Sequence, residues 1–272
     1  MVSVRHVGRW TNSLLRWPNL TLLGLWCLSF FGLYALRSLA MNMATSVGFS
    51  VAFMVICALM LFGSGLLADV DARDRRPIRT LVWSALLVLA PSFLSHSTGR
   101  YALLMGGGVL LASVHIGVWI GLRMTQPRLL WPVVIVATGV ALMTASWPDG
   151  WSYRWIFDRP PKSILTVSLL TVPFPGAAYE GVLSFADVAF IATIVAFVRA
   201  CRLSRARVLI GLVVGLVGWL GLHLSTAVVV PVLVCTGPCA ACALGHSVTP
   251  RGADIALALS ALAAIGLTLM AL

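Results

Sequence analysis

Long, nearly uninterrupted apolar runs alternate with short polar segments along this chain, and that pattern sets the expectation for its fold. Apolar windows lie at Leu20–Leu36, Ser46–Ala68, Thr80–Ser95, Tyr101–Leu122, Leu129–Trp147, Gly181–Val198, Arg207–Ser225, Thr226–Gly245 and Ala253–Leu272. A hydrocarbon core about 30 Å thick takes roughly 20 apolar residues per helix, so the windows predict about nine membrane-spanning helices. A closed barrel would show short segments alternating polar and apolar residues. The runs here are continuous and rich in Leu, Val, Ala and Gly. The expected fold class is all-α, a polytopic transmembrane bundle.

Composition points the same way. Of 272 residues, 60% are hydrophobic and 10% charged, and the mean hydropathy is +1.00. A water-soluble domain of this length needs more charge to cover its surface. No internal repeat or domain linker is visible, so a single domain over 1–272 is expected. Its longest non-spanning stretch, 148–180, carries Trp151, Tyr153 and Trp155, then Asp158-Arg-Pro-Pro-Lys162 and the turn Pro173-Phe-Pro-Gly176. The aromatics suit a membrane interface, and Ser163–Tyr179 reads as a surface or re-entrant segment.

The net charge of +11 suggests nucleic acid until the basic residues are placed. With the N-terminus inside, the inner segments hold Arg5, Arg9, Arg16, Arg73, Arg75, Arg76, Arg79, Arg123, Arg128, Arg199, Arg202, Arg205, Arg207 and Arg251, which is 14 of 19. The outer segments keep Arg37, Arg100, Arg154, Arg159 and Lys162. This is the positive-inside bias of a multi-pass protein with a cytoplasmic N-terminus; no nucleic-acid partner is expected. The first apolar run lacks a small-residue cleavage site and reads as an anchor. Arginine usage with a single lysine suggests a GC-rich bacterial genome, and hence a bacterial inner membrane. The cysteines Cys27, Cys57, Cys201, Cys235, Cys239 and Cys242 lie in apolar runs or beside the inner face, where structural disulfides are not expected.

The most polar place is the inner loop Asp69-Val-Asp71-Ala-Arg-Asp74-Arg75-Arg76-Pro-Ile-Arg79, with three of the eight acidic residues. Carboxylates at a bundle mouth suit Mg²⁺, a hard cation that bridges to phosphate oxygens. Adjacent arginines grip the same phosphates by paired hydrogen bonds. The competing reading is a solvated loop whose acids and arginines pair with each other.

The cluster, its place after the second span and the Pro77-Ile78 that follows resemble the first aspartate motif of the UbiA-type intramembrane prenyltransferases. Arg16-Trp-Pro18-Asn19-Leu20 is similar to that family's Arg-Pro-x-Asn-Leu start, and Arg123-Met-Thr-Gln-Pro-Arg128 stands at its basic inner loop. The resemblance implies nine helices and transfer or cyclisation of an isoprenoid diphosphate, with membrane lipid, a prenyl diphosphate and a lipophilic acceptor as partners. It implies Mg²⁺ on Asp69, Asp71 and Asp74. It places Asn19, Arg75, Arg76, Arg79, Arg123, Arg128 and Arg202 around the substrate. The chain departs from the family twice: the leading Asn-Asp is missing, and the second acidic loop is replaced by Arg199-Ala-Cys-Arg-Leu-Ser-Arg-Ala-Arg207. Either arginines hold the diphosphate directly, or catalysis is lost or altered; a non-catalytic or transport-type protein of the same shape is the alternative.

Three further constellations are weighed. Cys235-Thr-Gly-Pro-Cys239-Ala-Ala-Cys242-Ala-Leu-Gly-His246 holds a Cys-x-x-Cys able to cycle as a disulfide or bind a soft metal. It resembles the Cys-Thr-Gly-Pro segments of thiol-electron carriers of the DsbD type, but Cys27 lacks the adjacent proline of that family's second cysteine, and small residues at a tight helix interface are the favoured explanation. Asp158 and Asp187 loosely resemble an aspartyl protease pair; the Gly-x-Gly before the second is missing. Asp187 inside a span calls for a cavity or a partner such as Arg154, Arg159 or His115. His115 and His223 are conceivable haem ligands, but lone histidines on apolar helices usually serve as hydrogen-bonded structural residues.

Overall fold

The computed structural model describes residues 17–39, 45–71, 98–146, 169–174, 177–225 and 230–271. Along the chain these form α1 (Trp17–Leu39), α2 (Thr45–Asp71), α3 (Thr98–Gly121), α4 (Leu130–Ser146), the strands β1 (Leu169–Phe174) and β2 (Ala177–Ser184), then α5 (Phe185–Ala200), α6 (Arg205–Ser225), α7 (Val232–Leu244) and α8 (Gly252–Ala271). Short 3-10 turns at Pro127–Leu129 and Gly245–Val248 precede α4 and follow α7. Among the described residues there are thus eight α-helices, one in each apolar window except Thr80–Ser95, which lies outside them. Five segments are long and apolar enough to cross a bilayer: Trp17–Leu36, Val47–Ala68, Leu103–Gly121, Pro127–Ala145 and Arg205–Ser225.

Locally the chain departs from an all-helical reading. The segment that the apolar pattern leaves as a surface or re-entrant stretch contains an antiparallel hairpin, β1 pairing with β2 through Leu169 opposite Ser184 and Phe174 opposite Ala177. Its register shifts between Val172 and Phe174, around Pro173, whose ring nitrogen has no hydrogen to donate to a ladder. The apolar window Gly181–Val198 therefore starts as strand, and its helix begins at Phe185. The switch lies in a reciprocal cap: Asp187 N–H donates to Ser184 Oγ at 3.1 Å, while Ser184 N–H and Oγ donate to the Asp187 carboxylate at 3.0 and 2.7 Å. That Ser-x-x-Asp box satisfies helix-start donors that neither water nor lipid would reach.

The chain divides into two compact units, one formed within Met1–Trp119 and Lys162–Thr193, the other within Ile120–Pro161 and Ile194–Leu272. In the first, large side chains of α1 sit in notches left by glycine. Leu22 lies over Gly63, where an added Cβ would come within 2.5 Å, and the Trp26 ring covers Gly106. Trp26 is fully buried and its indole N–H donates to the Leu103 carbonyl at 2.8 Å. Deeper in α3, Gly117 abuts the Ala189 carbonyl and the Ala192 methyl of α5.

The second unit packs by close backbone approach. A Cβ on Gly211 would fall 2.6 Å from the Cys239 carbonyl oxygen, and one on Gly215 2.6 Å from the Thr236 Cα. The Gly211-x-x-x-Gly215 spacing thus lets α6 lie against the α7 backbone, where dispersion replaces the hydrophobic force that lipid cannot supply. α7 closes at Gly245, whose φ of +54 carries the chain out of the helix as a residue with a Cβ would not readily do. On α8, Leu262 packs over Gly139 of α4.

Candidate functional site

Buried polar groups mark where lipid-embedded helices carry more than packing, because each must find a partner inside the protein. Several of them bond within their own helix. Ser64 donates to the Met60 carbonyl, Ser113 to Val109, Thr193 to Ala189 and Thr236 to Val232. Asn19 and His115 instead bridge two helices. Both are almost fully buried, and the Asn19 carboxamide oxygen lies 2.9 Å from the His115 ring Nε2.

Neighbouring contacts place this pair. Trp26 against Gly106 and Asn19 against His115 show α1 running antiparallel to α3, and Leu22 against Gly63, with five residues joining α1 to α2, makes α1 antiparallel to α2 as well. The start of α1 and the end of α2 therefore share one end of the first unit, and His115 lies toward that same end of α3. Asp69 and Asp71 sit in the last turn of α2, six and eight positions beyond Gly63. That puts them about 9–12 Å further along the axis at 1.5 Å per residue. Asn19, which the sequence reading assigns to a substrate, stands at the end of the unit that carries these acidic positions.

Carboxylate oxygens at a helix C-terminus, where the dipole is negative, suit a hard divalent cation. The helix nevertheless persists through Asp71, so positions 69 and 71 lie about 200° apart around its axis. Of the two, Asp71 at the helix terminus is the position from which the chain continues toward Asp74. Asp74, Arg75, Arg76 and Arg79 lie outside the described residues, as do Arg154, Arg159 and Asp158.

The remaining expected substrate arginines belong to the second unit. Arg123 is exposed on the turn after α3. Arg128 is held by its own surroundings: its Nε donates to Gln126 at 2.9 Å and stands 3.8 Å from the Asp254 carboxylate, which also accepts the Arg251 N–H in the first turn of α8. Arg202 is placed by the end of α5. Leu203 N–H donates to the Val198 carbonyl and Arg202 N–H to that of Arg199, the pairing of a Schellman turn, and Arg202 fills its left-handed position with φ of +54. Glycine is usual there, and a residue with a Cβ costs about 1–2 kcal/mol more.

Other singled-out residues acquire structural partners. Asp187 is engaged with Ser184 in the cap of α5. His223 stacks on Trp219, ring centroids 4.9 Å apart, and the Trp219 indole N–H donates to the Val230 carbonyl. Cys235, Cys239 and Cys242 are free thiols at i, i+4 and i+7, one stripe of α7, and the backbone beneath Cys235 and Cys239 is what Gly215 and Gly211 touch. Among the described residues no group of three or more His, Cys, Asp or Glu is arranged to hold a metal. Cys201, in the turn after α5, directs its thiol at the Met124 carbonyl, 3.4 Å away, and burial raises its pKa above the ordinary thiol value.

Sequence reasoning left three of these arrangements unused. The Ser184-Phe-Ala-Asp187 box and the Gly211-x-x-x-Gly215 pair are visible as spacings. The Asn19–His115 bridge joins positions 96 apart and has no local signal.

Spanning helices that bear large apolar side chains on their outer faces, among them Leu28 at 70% and Ile210 at 62% exposure, define a multi-pass α-helical membrane protein. Comparison of the chain with protein-family models, with curated proteins and with solved structures gives no match.

Proposed function

We propose that this protein is a membrane-embedded enzyme of the UbiA type that ionises an isoprenoid diphosphate, with nine spans, a cytoplasmic N-terminus and its site at the cytoplasmic end of the first unit. The observation that carries the reading is the common placement of the Asn19–His115 bridge and the acidic end of α2. Asn19 is held by His115 at this end of the unit, so a polar side chain is fixed there before a substrate arrives. Asp71, with Asp74 next in the loop, would hold Mg²⁺, which neutralises diphosphate charge when bound. Arg75, Arg76 and Arg79 follow directly in the chain and would take the outer phosphate oxygens. Ionisation breaks the bond between the allylic carbon and oxygen; the electron pair leaves with pyrophosphate and the cation stays in an apolar surround that excludes water.

A non-catalytic or transport-type protein is the second reading. It is favoured by the Arg128–Asp254 pair, which uses internally a guanidinium that the enzyme reading assigns to substrate. The deciding experiment follows pyrophosphate release from farnesyl diphosphate by the reconstituted chain with and without Mg²⁺. Mg²⁺-dependent release that is lost in Asp71→Ala and Asp74→Ala supports the enzyme. No release from farnesyl, geranyl or geranylgeranyl diphosphate overturns it in favour of the second reading.

A further inference from the structure

We propose that the elbow between α5 and α6 is a binding site for an anionic phospholipid, its phosphate held by Arg202 and Arg207 and an acyl chain lying along α6. Two features of different kind meet there. The first is charge. Arg199, Arg202, Arg205 and Arg207 fall within nine residues, and the first turn of α6 contains no acid. Asp254 is the carboxylate among the described residues of this unit, and it stands against Arg128. Crowding registers on Arg199, where burial and then the neighbouring Arg205 charge lower its pKa below the ordinary guanidinium value.

The second feature is the face of α6. Its buried side, including Gly211, Gly215 and Trp219, is turned to α7 and the Val230 carbonyl. On the other side Ile210, Val214 and Val217 are 62%, 56% and 49% exposed, and they follow Arg207 at i+3, i+7 and i+10, one stripe of the helix. A basic end continuous with an apolar stripe matches an amphiphile with an anionic head. A second copy of this chain presenting the same stripe would bring like charges together.

Arg202 adds the sharpest point. It occupies a left-handed backbone position that glycine fills more easily, so an exposed guanidinium stands there against local conformational preference. Departures of that sort mark positions kept for what the side chain does.

The test uses the full chain reconstituted with spin-labelled phosphatidylglycerol or phosphatidylcholine, reading the relative association of the two lipids. Wild type is expected to prefer phosphatidylglycerol. Arg202→Gly, which relieves the backbone and so keeps the fold at least as heat-stable, is expected to lower that preference about fivefold, and Arg207→Gln by about the same factor. Arg251→Gln, away from the stripe, leaves it unchanged. Unchanged preference in Arg202→Gly and Arg207→Gln overturns the site. An equal loss in Arg251→Gln replaces it with a diffuse basic surface, and efficient Ile210→Cys cross-linking between copies in the bilayer assigns the stripe to a second chain.

Discussion

The contacts of α1 in the first unit and the contact of α6 with α7 in the second hold helices together by different means. In the first, bulky side chains of α1 fill glycine notches in α2 and α3, and a polar pair, Asn19 with His115, crosses between helices. In the second, α6 and α7 approach backbone to backbone through Gly211 and Gly215, and Thr236 bonds to its own helix. Helices in lipid gain little from burying apolar surface against one another, so fit and internal hydrogen bonds decide association. At α6 and α7 packing supplies the fit, Thr236 bonds within its own helix, and the Trp219 indole reaches the Val230 carbonyl ahead of α7. Where a polar side chain reaches across, as at Asn19, the geometry is set by a hydrogen bond.

Several changes would break or sharpen this contrast. The largest effect belongs to the acidic end of the first unit: Asp71→Ala should lower Mg²⁺-dependent pyrophosphate release at least about 100-fold, as loss of a metal ligand does. Asp69→Ala, on the far side of the helix axis, should lower it far less. Equal losses would show that the end of α2 unwinds on binding.

Next in size is Gly215→Leu. The added side chain meets the α7 backbone at Thr236 and Cys235, and such overpacking costs about 1–3 kcal/mol, to be read as a lowered unfolding midpoint in detergent. Leucine at Gly218, beside which nothing lies within 4 Å, is the control that should be tolerated.

The polar bridge comes third. Asn19→Leu or His115→Leu should each destabilise the first unit by about 1–2 kcal/mol by orphaning the partner. The double variant should cost less than the sum, with a coupling of about 0.6 kcal/mol or more in a membrane setting. Additive losses would show that the two side chains do not cooperate.

The smallest effect is a rate. Burial raises the Cys201 pKa, so less thiolate is present at a given pH. A variant keeping Cys201 alone should therefore react with iodoacetamide more slowly than a free thiol at pH 8 and accelerate through a midpoint displaced to higher pH. A midpoint at the ordinary thiol value would mean that the turn beside Met124 is open to solvent.

The apolar windows place six of the eight described helices within three residues at both ends, while α5 and α7 start four and six residues late, because the period and length of an apolar run are properties of the run itself. The window at Gly181–Val198 shows the limit. Apolar content does not separate strand from helix there, and the boundary falls where the Ser184–Asp187 box captures the helix-start donors. Within the candidate site, the acidic end of α2 was legible as a cluster of charge, while the 200° between positions 69 and 71 depends on the helix continuing through Asp71. Arg128 reads as a substrate ligand from its loop, and Asp254, 126 positions further on, stands 3.8 Å from it, a neighbour for which the loop carries no signal.

By itself, then, the amino-acid sequence determined that this chain lives in a membrane as a set of helices, since transfer into lipid is a sum over local segments and needs no knowledge of neighbours. Tertiary structure alone decided that Asn19 meets His115, that Asp254 stands against Arg128, and that α7 is the helix received by Gly211 and Gly215. Those outcomes depend on which faces come together, and van der Waals fit and hydrogen bonding over a few ångströms carry no trace along the chain.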